Sequence, residues 1–281
     1  MKQKIIGLSL MVMLALSMTA CGYNSKDEVV AEARVFDDPE DRVYVDESEF
    51  NNIFDCPDGY IGKYIKVIGS ICDGPELGDN NCYFYQAWHD TETWQHNFAF
   101  RIDSKIDGLG KDDYVQVEGR ITDDFHAARN FFGVLIEAET VTPLNYIEAK
   151  VPTLKEIEPK GVASTQNNIT VQVNKVQYAE TETRVFITMS NGSESTFHPD
   201  RDLTKLIQND EEFEVSEEAM SGYLGGEYGL VPYELLSHTE EDAIIAFPPI
   251  DQNTNFQLHM EGSSVDEKAK FKPYDITIPV E

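Results

Sequence analysis

The chain has 281 residues, with 22 Lys and Arg against 51 Asp and Glu, a formal net charge of −29. A body this acidic repels phosphate backbones and anionic bilayer faces, which argues against general nucleic-acid binding and requires something covalent for membrane association. Hydrophobic residues make up 41% and aromatics 11%, enough for packed cores, and the length suits about two domains.

Lys2 and Lys4 form a basic head, Ile5 to Ala20 is an uncharged apolar run, and Met18-Thr19-Ala20-Cys21-Gly22 follows at its end. The run is short for a membrane-spanning helix and finishes in small residues, as a signal peptide does. Small residues before a Cys, with Gly after it, resemble the lipobox of bacterial lipoproteins, with Met18 where that family usually has Leu. The resemblance implies that residues 1–20 are a signal peptide. It also implies that Cys21 is acylated with palmitate-like chains, becomes the mature N-terminus, and makes the lipid bilayer a partner at the extracytoplasmic face of the cell membrane. Two acyl chains at about 0.8 kcal/mol per buried CH2 make a stable anchor. Cleavage removes two lysines and no acids, leaving 20 basic against 51 acidic residues, a charge of −31. Residues 21–45, including Asp37-Asp-Pro-Glu-Asp41, read as an acidic tether.

Residues 46–145 form the first expected domain. Asp46 to Phe54 places Phe50, Ile53 and Phe54 at helical spacing behind early acids. Five strand-like segments follow: Tyr64 to Cys72, Cys82 to Trp88, Asn97 to Asp103, Tyr114 to Thr122 and Phe131 to Val141. The clearest, Tyr114-Val-Gln-Val-Glu-Gly-Arg-Ile121, alternates apolar and polar residues as a half-buried strand should. A short helix with five strands suits an OB-type barrel. Tyr60-Ile-Gly-Lys-Tyr-Ile-Lys-Val-Ile-Gly-Ser-Ile71 and Asp112 to Ile121 resemble the OB-fold family related to tRNA anticodon-binding domains, which bacterial lipoproteins also carry. The motif carries no catalytic residue. Cys72 and Cys82 flank the turn-rich Asp73 to Asn81, so a Cys72–Cys82 disulfide is expected, worth about 2–3 kcal/mol. Cys56 is left unpaired or partnered elsewhere; other pairings and a fully reduced set remain open.

Residues 146–166, with Pro152, Pro159 and Gly161, read as a linker. Residues 167–281 read as a second β-rich domain: Ile169 to Tyr178 and Arg184 to Ser190 alternate, and Asn191-Gly192 is a strong turn dipeptide. Later strands are expected at Ala243 to Pro248, Asn255 to Met260 and Lys270 to Ile278. The segments Ile169–Tyr178, Thr183–Ser193, Glu240–Phe247 and Phe256–Met260 resemble an Ig-like family of Gram-positive lipoproteins, similar in fold to a secreted immunoprotective antigen of mycobacteria. The fold class is therefore all-β: a five-stranded OB-like barrel with a short helix, then an immunoglobulin-like β-sandwich.

No G-x-S-x-G, P-loop or G-x-G-x-x-G motif occurs. Asp103 to Asp113 is acid-rich but lacks EF-hand spacing and reads as a solvated turn. Trp88-His89-Asp90 and Trp94-Gln95-His96 place two His and two Trp about one hairpin tip, read either as a metal or stacking site or as a strand pair with edge aromatics. Gly222 to Leu230 is Gly- and Tyr-rich but has no phosphate-binding Lys. An OB barrel that binds single strands needs a cationic groove, whereas residues 46–145 hold 7 basic and 19 acidic residues and 160–281 hold 8 and 22. The candidate ligand surface is Tyr83, Tyr85, Trp88, Trp94, His96, Tyr223 and Tyr228; no catalytic residue, cofactor or metal ligand is assigned. The function expected is a membrane-anchored, non-enzymatic module for a protein or small-molecule ligand, without nucleic acid. The alternatives are a metal-dependent hydrolase using His89, Asp90 and His96, and a structural spacer.

Overall fold

A computed structural model of the protein describes residues 31–32, 41–78, 82–91, 95–123, 133–224, 226, 228–265 and 269–280. The signal peptide, Cys21, Trp94, most of the tether and the segment around Phe131 lie outside them.

The first unit is a closed barrel of five strands: β2 (Tyr64–Leu77), β3 (Tyr83–Asp90), β4 (Gln95–Ile102), β5 (Tyr114–Thr122) and β6 (Val134–Leu144). β2 pairs with β3 and β5, β3 with β4, β5 with β6, and a parallel β4–β6 ladder closes the circuit. This is the expected all-β barrel. A two-residue strand, β1 (Ala31–Glu32), adds to the edge of β6. The pleat sends alternate residues inward, so Ile65, Val67, Phe98, Phe100, Val117 and Ile136 fill the lumen with almost no exposure. The short helix α1 (Phe50–Asp55) seats Phe50 and Ile53 in that core. Gly119 stands at a bulge in the β5–β6 ladder, where an added Cβ would lie 2.1 Å from the Glu137 carbonyl oxygen. Asp113 accepts a hydrogen bond from the Gly110 amide at 2.8 Å, so the acid-rich segment caps its own turn.

The second unit is two antiparallel sheets on one core. One sheet runs β13 (Glu240–Phe247), β10 (Thr183–Asn191), β9 (Ile169–Tyr178) and β7 (Lys155–Ile157), with β8 (Ala163–Gln166) also on β9. The other runs β12 (Glu211–Glu214), β11 (Phe197–Gln208), β14 (Phe256–Ser264) and β15 (Tyr274–Ile278). Val171, Ile187 and Ile245 from the first sheet meet Leu206, Leu258 and Ile276 from the second in a common cluster, making a sandwich.

Three sequence expectations are corrected. Residues 146–166 are not a linker: they form helix α2 (Tyr146–Lys150), β7 and β8, both strands hydrogen-bonded to β9. Asn145 and Glu148 cap α2 reciprocally, each side chain accepting from the other's backbone N–H at 2.9 Å. Asn191-Gly192 does not make a tight hairpin. The left-handed turn pairs are Asn167-Asn168 (φ 49° and 62°) between β8 and β9, and Asn209-Asp210 (φ 54° and 66°) between β11 and β12. Asn191 is instead buried, its amide donating to the Leu235 and Ser195 carbonyls.

The third correction is the Cys72–Cys82 disulfide: no disulfide joins any two of Cys56, Cys72 and Cys82. β2 does not stop at Cys72 but runs on to Leu77, absorbing Gly74-Pro75 between two register shifts. The tip of the hairpin is therefore at Gly78 to Cys82, while Cys72 lies abreast of Gln86 and Ala87. Four to five residues of strand separate the two cysteines, roughly 15 Å at about 3.3 Å per residue, beyond the reach of an S–S bond. Labelling with a thiol reagent under denaturing, non-reducing conditions should modify all three. Intact mass checks this, and a shortfall of two labels restored by reductant would overturn it.

Burial pushes the Tyr178 phenol up to about 12 and raises that of Tyr274 as well, and neither hydroxyl has a partner. The folded state thus holds these protons more tightly than the unfolded chain. Their stabilising contribution is complete below pH 10 and lost as pH rises through 10 to 12. Urea unfolding at pH 8 and pH 11 should show this loss, and Tyr178→Phe should reduce it with little cost at pH 8.

Candidate functional site

The described surface is indented where the outer face of the barrel meets α1 and α2. Outward-facing residues of β2 (Lys66, Ile68, Ser70) and β5 (Tyr114, Gln116) make the floor, because their neighbours Ile65, Val67 and Val115 take the lumen. Phe50 and Asn51 of α1 form one wall, Ala149 and Lys150 of α2 the other, and His89 and Thr91 close one end. The cleft holds about 650 Å³, and a smaller lobe of about 340 Å³ continues over Asp90 and His96. Gly69 sits under the floor: a Cβ there would come within 2.6 Å of the Phe98 ring.

The polar groups of the cleft are largely unengaged. Lys66, Ser70, Gln116, Asn51 and Lys150 make no side-chain hydrogen bond or ion pair among the described residues. Ser70 is only 9% exposed as a residue. Lys66 lies in register with Glu118, but Glu118 is taken by the Tyr44 hydroxyl and sits 3.7 Å from Arg42. Burial, with Asp112 nearby, raises the Tyr114 phenol above its usual range and keeps it a neutral donor.

His89 is locked in place. Its Nδ1 lies 2.9 Å from the Ile68 carbonyl oxygen; a carbonyl can only accept, so Nδ1 carries the proton and Nε2 is left to the cleft side of the ring's chemistry. Phe50 meets the imidazole edge-on at 5.7 Å and Phe54 stacks on it at 5.6 Å. Phe54 also stacks on His96 at 5.0 Å. Both histidines are thus engaged by an aromatic ring rather than turned to a common point, and no group of three or more His, Cys, Asp or Glu among the described residues is arranged to hold a metal.

The sequence-proposed ligand surface does not assemble. Tyr85 is fully buried, stacked on Phe100, with its hydroxyl accepting from the Ile106 amide at 3.1 Å. Tyr223 is 1% exposed, in a core patch with Ile147 and Ile244 against which Tyr228 packs. Tyr83 leans on the barrel core, Trp88 points outward from β3 opposite Ser70 and Asn97, and Trp94 is outside the described residues. Only His96 touches the cleft. Lys66, Ser70, Gln116, Asn51 and Lys150 were not singled out. Lys66, Ser70 and Gln116 belong to the polar half of alternating strands, which reads as a solvated face, and Asn51 and Lys150 are single polar positions on short helices.

No family model and no curated protein matches the chain. A functionally unknown protein from Listeria monocytogenes EGD-e is similar in structure, with a TM-score of 0.36 and 11% identity over 49% of this chain and 94% of that one. The yjhA protein from Bacillus subtilis gives a TM-score of 0.29 and 17% identity over 36% and 79%.

The locked tautomer is directly measurable. In long-range 15N–1H spectra at pH 8, His89 should show a protonated Nδ1 and a bare Nε2. The pattern should revert to the common Nε2-protonated form if the Ile68 contact is absent.

Proposed function

We propose that the protein is a lipid-anchored, extracytoplasmic module that binds a ligand without chemical turnover. The anchor reading is carried by Cys21, set behind an apolar run with small residues before it and Gly after it. The acidity supports it from another direction: a body of this charge is held off an anionic surface and needs a covalent tether to stay there. Among the described residues no helix is long and apolar enough to cross a membrane. We read the barrel as the OB-type module of the tRNA-anticodon-binding-related family and the sandwich as Ig-like, the strand circuit and the shared two-sheet core supporting each. The ligand-binding half rests on the cleft, where the side chains of Lys66, Ser70, Gln116, Asn51 and Lys150 have no partner among the described residues.

Cys21→Ala should leave the precursor unprocessed, abolish incorporation of labelled palmitate and change Triton X-114 partitioning, whereas globomycin should block the cleavage alone and leave a palmitate-labelled precursor. Unchanged processing and partitioning would sink the anchor reading.

A further inference from the structure

We propose that the cleft between the barrel and α2 binds the phosphate group of a small phosphorylated molecule, with Lys66 and Lys150 supplying the charge and Ser70 a hydroxyl donor. The inference deepens the ligand-binding half of the proposed function and rests on that half alone, not on the anchor.

The first argument is the inversion of charge. Acids outnumber bases 51 to 22 in the chain, yet among the described residues two lysines and one carboxylate, Asp90 in the smaller lobe, line the cleft. The inversion is built by the neighbours. The carboxylate facing Lys66 across the ladder, Glu118, is drawn away by Tyr44 and Arg42. Lys150 ends α2 with no ion-pair partner among the described residues. An anion entering the cleft therefore meets two ammonium groups and a hydroxyl that no other side chain among the described residues engages.

The second argument chooses the anion. Carboxylates are best recognised by the planar fork of Arg, and no arginine lines the cleft. Point-charge ammoniums from the floor and from the α2 wall, with a hydroxyl also from the floor, suit a tetrahedral oxyanion that accepts in several directions. Space is the third argument. About 650 Å³ is a small-molecule volume, too large for phosphate alone. Asn51 and Gln116 offer neutral amides, and Phe50 and Ile68 apolar surface, for the body of the ligand.

The test is 31P NMR and calorimetric titration of the purified full chain with glycerol 3-phosphate, inorganic phosphate and acetate. Glycerol 3-phosphate should bind, and more tightly than inorganic phosphate or acetate. Lys66→Gln and Lys150→Gln should each weaken it about tenfold or more, the size of one lost charge-assisted contact. Ser70→Ala should weaken it less, and Lys105→Gln, on an exposed loop elsewhere, should leave it unchanged. Displacement of the soluble ester by phosphatidylglycerol but not phosphatidylcholine vesicles assigns the phosphate to a lipid headgroup, and equal behaviour of the two assigns it to a free solute; phosphate recognition stands in both. No binding by the folded wild type, acetate binding as tightly as the ester, or a Lys66→Gln/Lys150→Gln double variant that binds normally would each overturn the inference. Acylation at Cys21 is read separately, so loss of one reading leaves the other intact.

Discussion

The architecture turns on one buried cation, Arg184. Its guanidinium, on β10, has no exposure and donates to the Val151 carbonyl at 2.7 Å, the Thr153 hydroxyl at 2.8 Å, and the Glu182 carboxylate at 3.1 Å. The Tyr223 hydroxyl donates to the same Glu182 oxygen, and burial keeps that phenol well above its ordinary range. Desolvating an ion pair costs several kcal/mol per charge, so such a group persists only when its hydrogen bonds are nearly complete. Here Val151 and Thr153, in the chain just after α2, supply two of the acceptors, and Nε alone of the guanidinium nitrogens has none among the described residues. The pair therefore fastens the segment joining barrel and sandwich rather than either core.

The consequences spread outward from that fastening. With Val151 and Thr153 fixed, α2 lies where Ile147 joins Tyr223, Ile244 and Ala246 in a small apolar patch, and Tyr146 meets Tyr223 edge-on at 5.3 Å. Gly222 is part of the fit, since a Cβ there would fall 2.1 Å from the Tyr146 hydroxyl. α2 in turn supplies Lys150 to the cleft. One wall of the candidate site is thus positioned by a salt bridge in the other unit, and the junction and the site are one structural problem.

Much of the fold is legible in the sequence where burial on one face imposes a period of two. Tyr114–Thr122 and Ile169–Tyr178 form strands with the boundaries the alternation assigns. The failures share a cause: local punctuation outvoted by pairing. Gly74-Pro75 reads as a turn, yet bulges let β2 pass through it, and that continuation is what separates Cys72 from Cys82. Pro152 and Pro159 read as a linker, but short strands around them pair with β9 because its edge needs partners. The cleft was less legible still. With its smaller lobe it draws on six separate segments, and alternation tells which side chains point outward without telling which outward faces a helix will cover.

Charge is distributed by the same logic. The barrel's arginines are matched to its buried acids: Arg101 and Arg120 both engage Glu137, and Arg42 engages Glu139, itself hydrogen-bonded to Tyr64. Arginine suits that work because its fork satisfies a carboxylate in a confined place. Lysines are left over, and two of them fall in the cleft. The chain's net −29 does not cancel their pull. At physiological ionic strength exposed charges are screened over about 8 Å, so the acids elsewhere set the long-range field while the cleft sets its own. An anion approaching this protein meets weak repulsion at a distance and uncompensated ammonium groups at contact. On the proposed reading, that arrangement would favour small anions by fit and disfavour extended polyanions, whose many phosphates would lie against the acidic exterior beyond the cleft's edge.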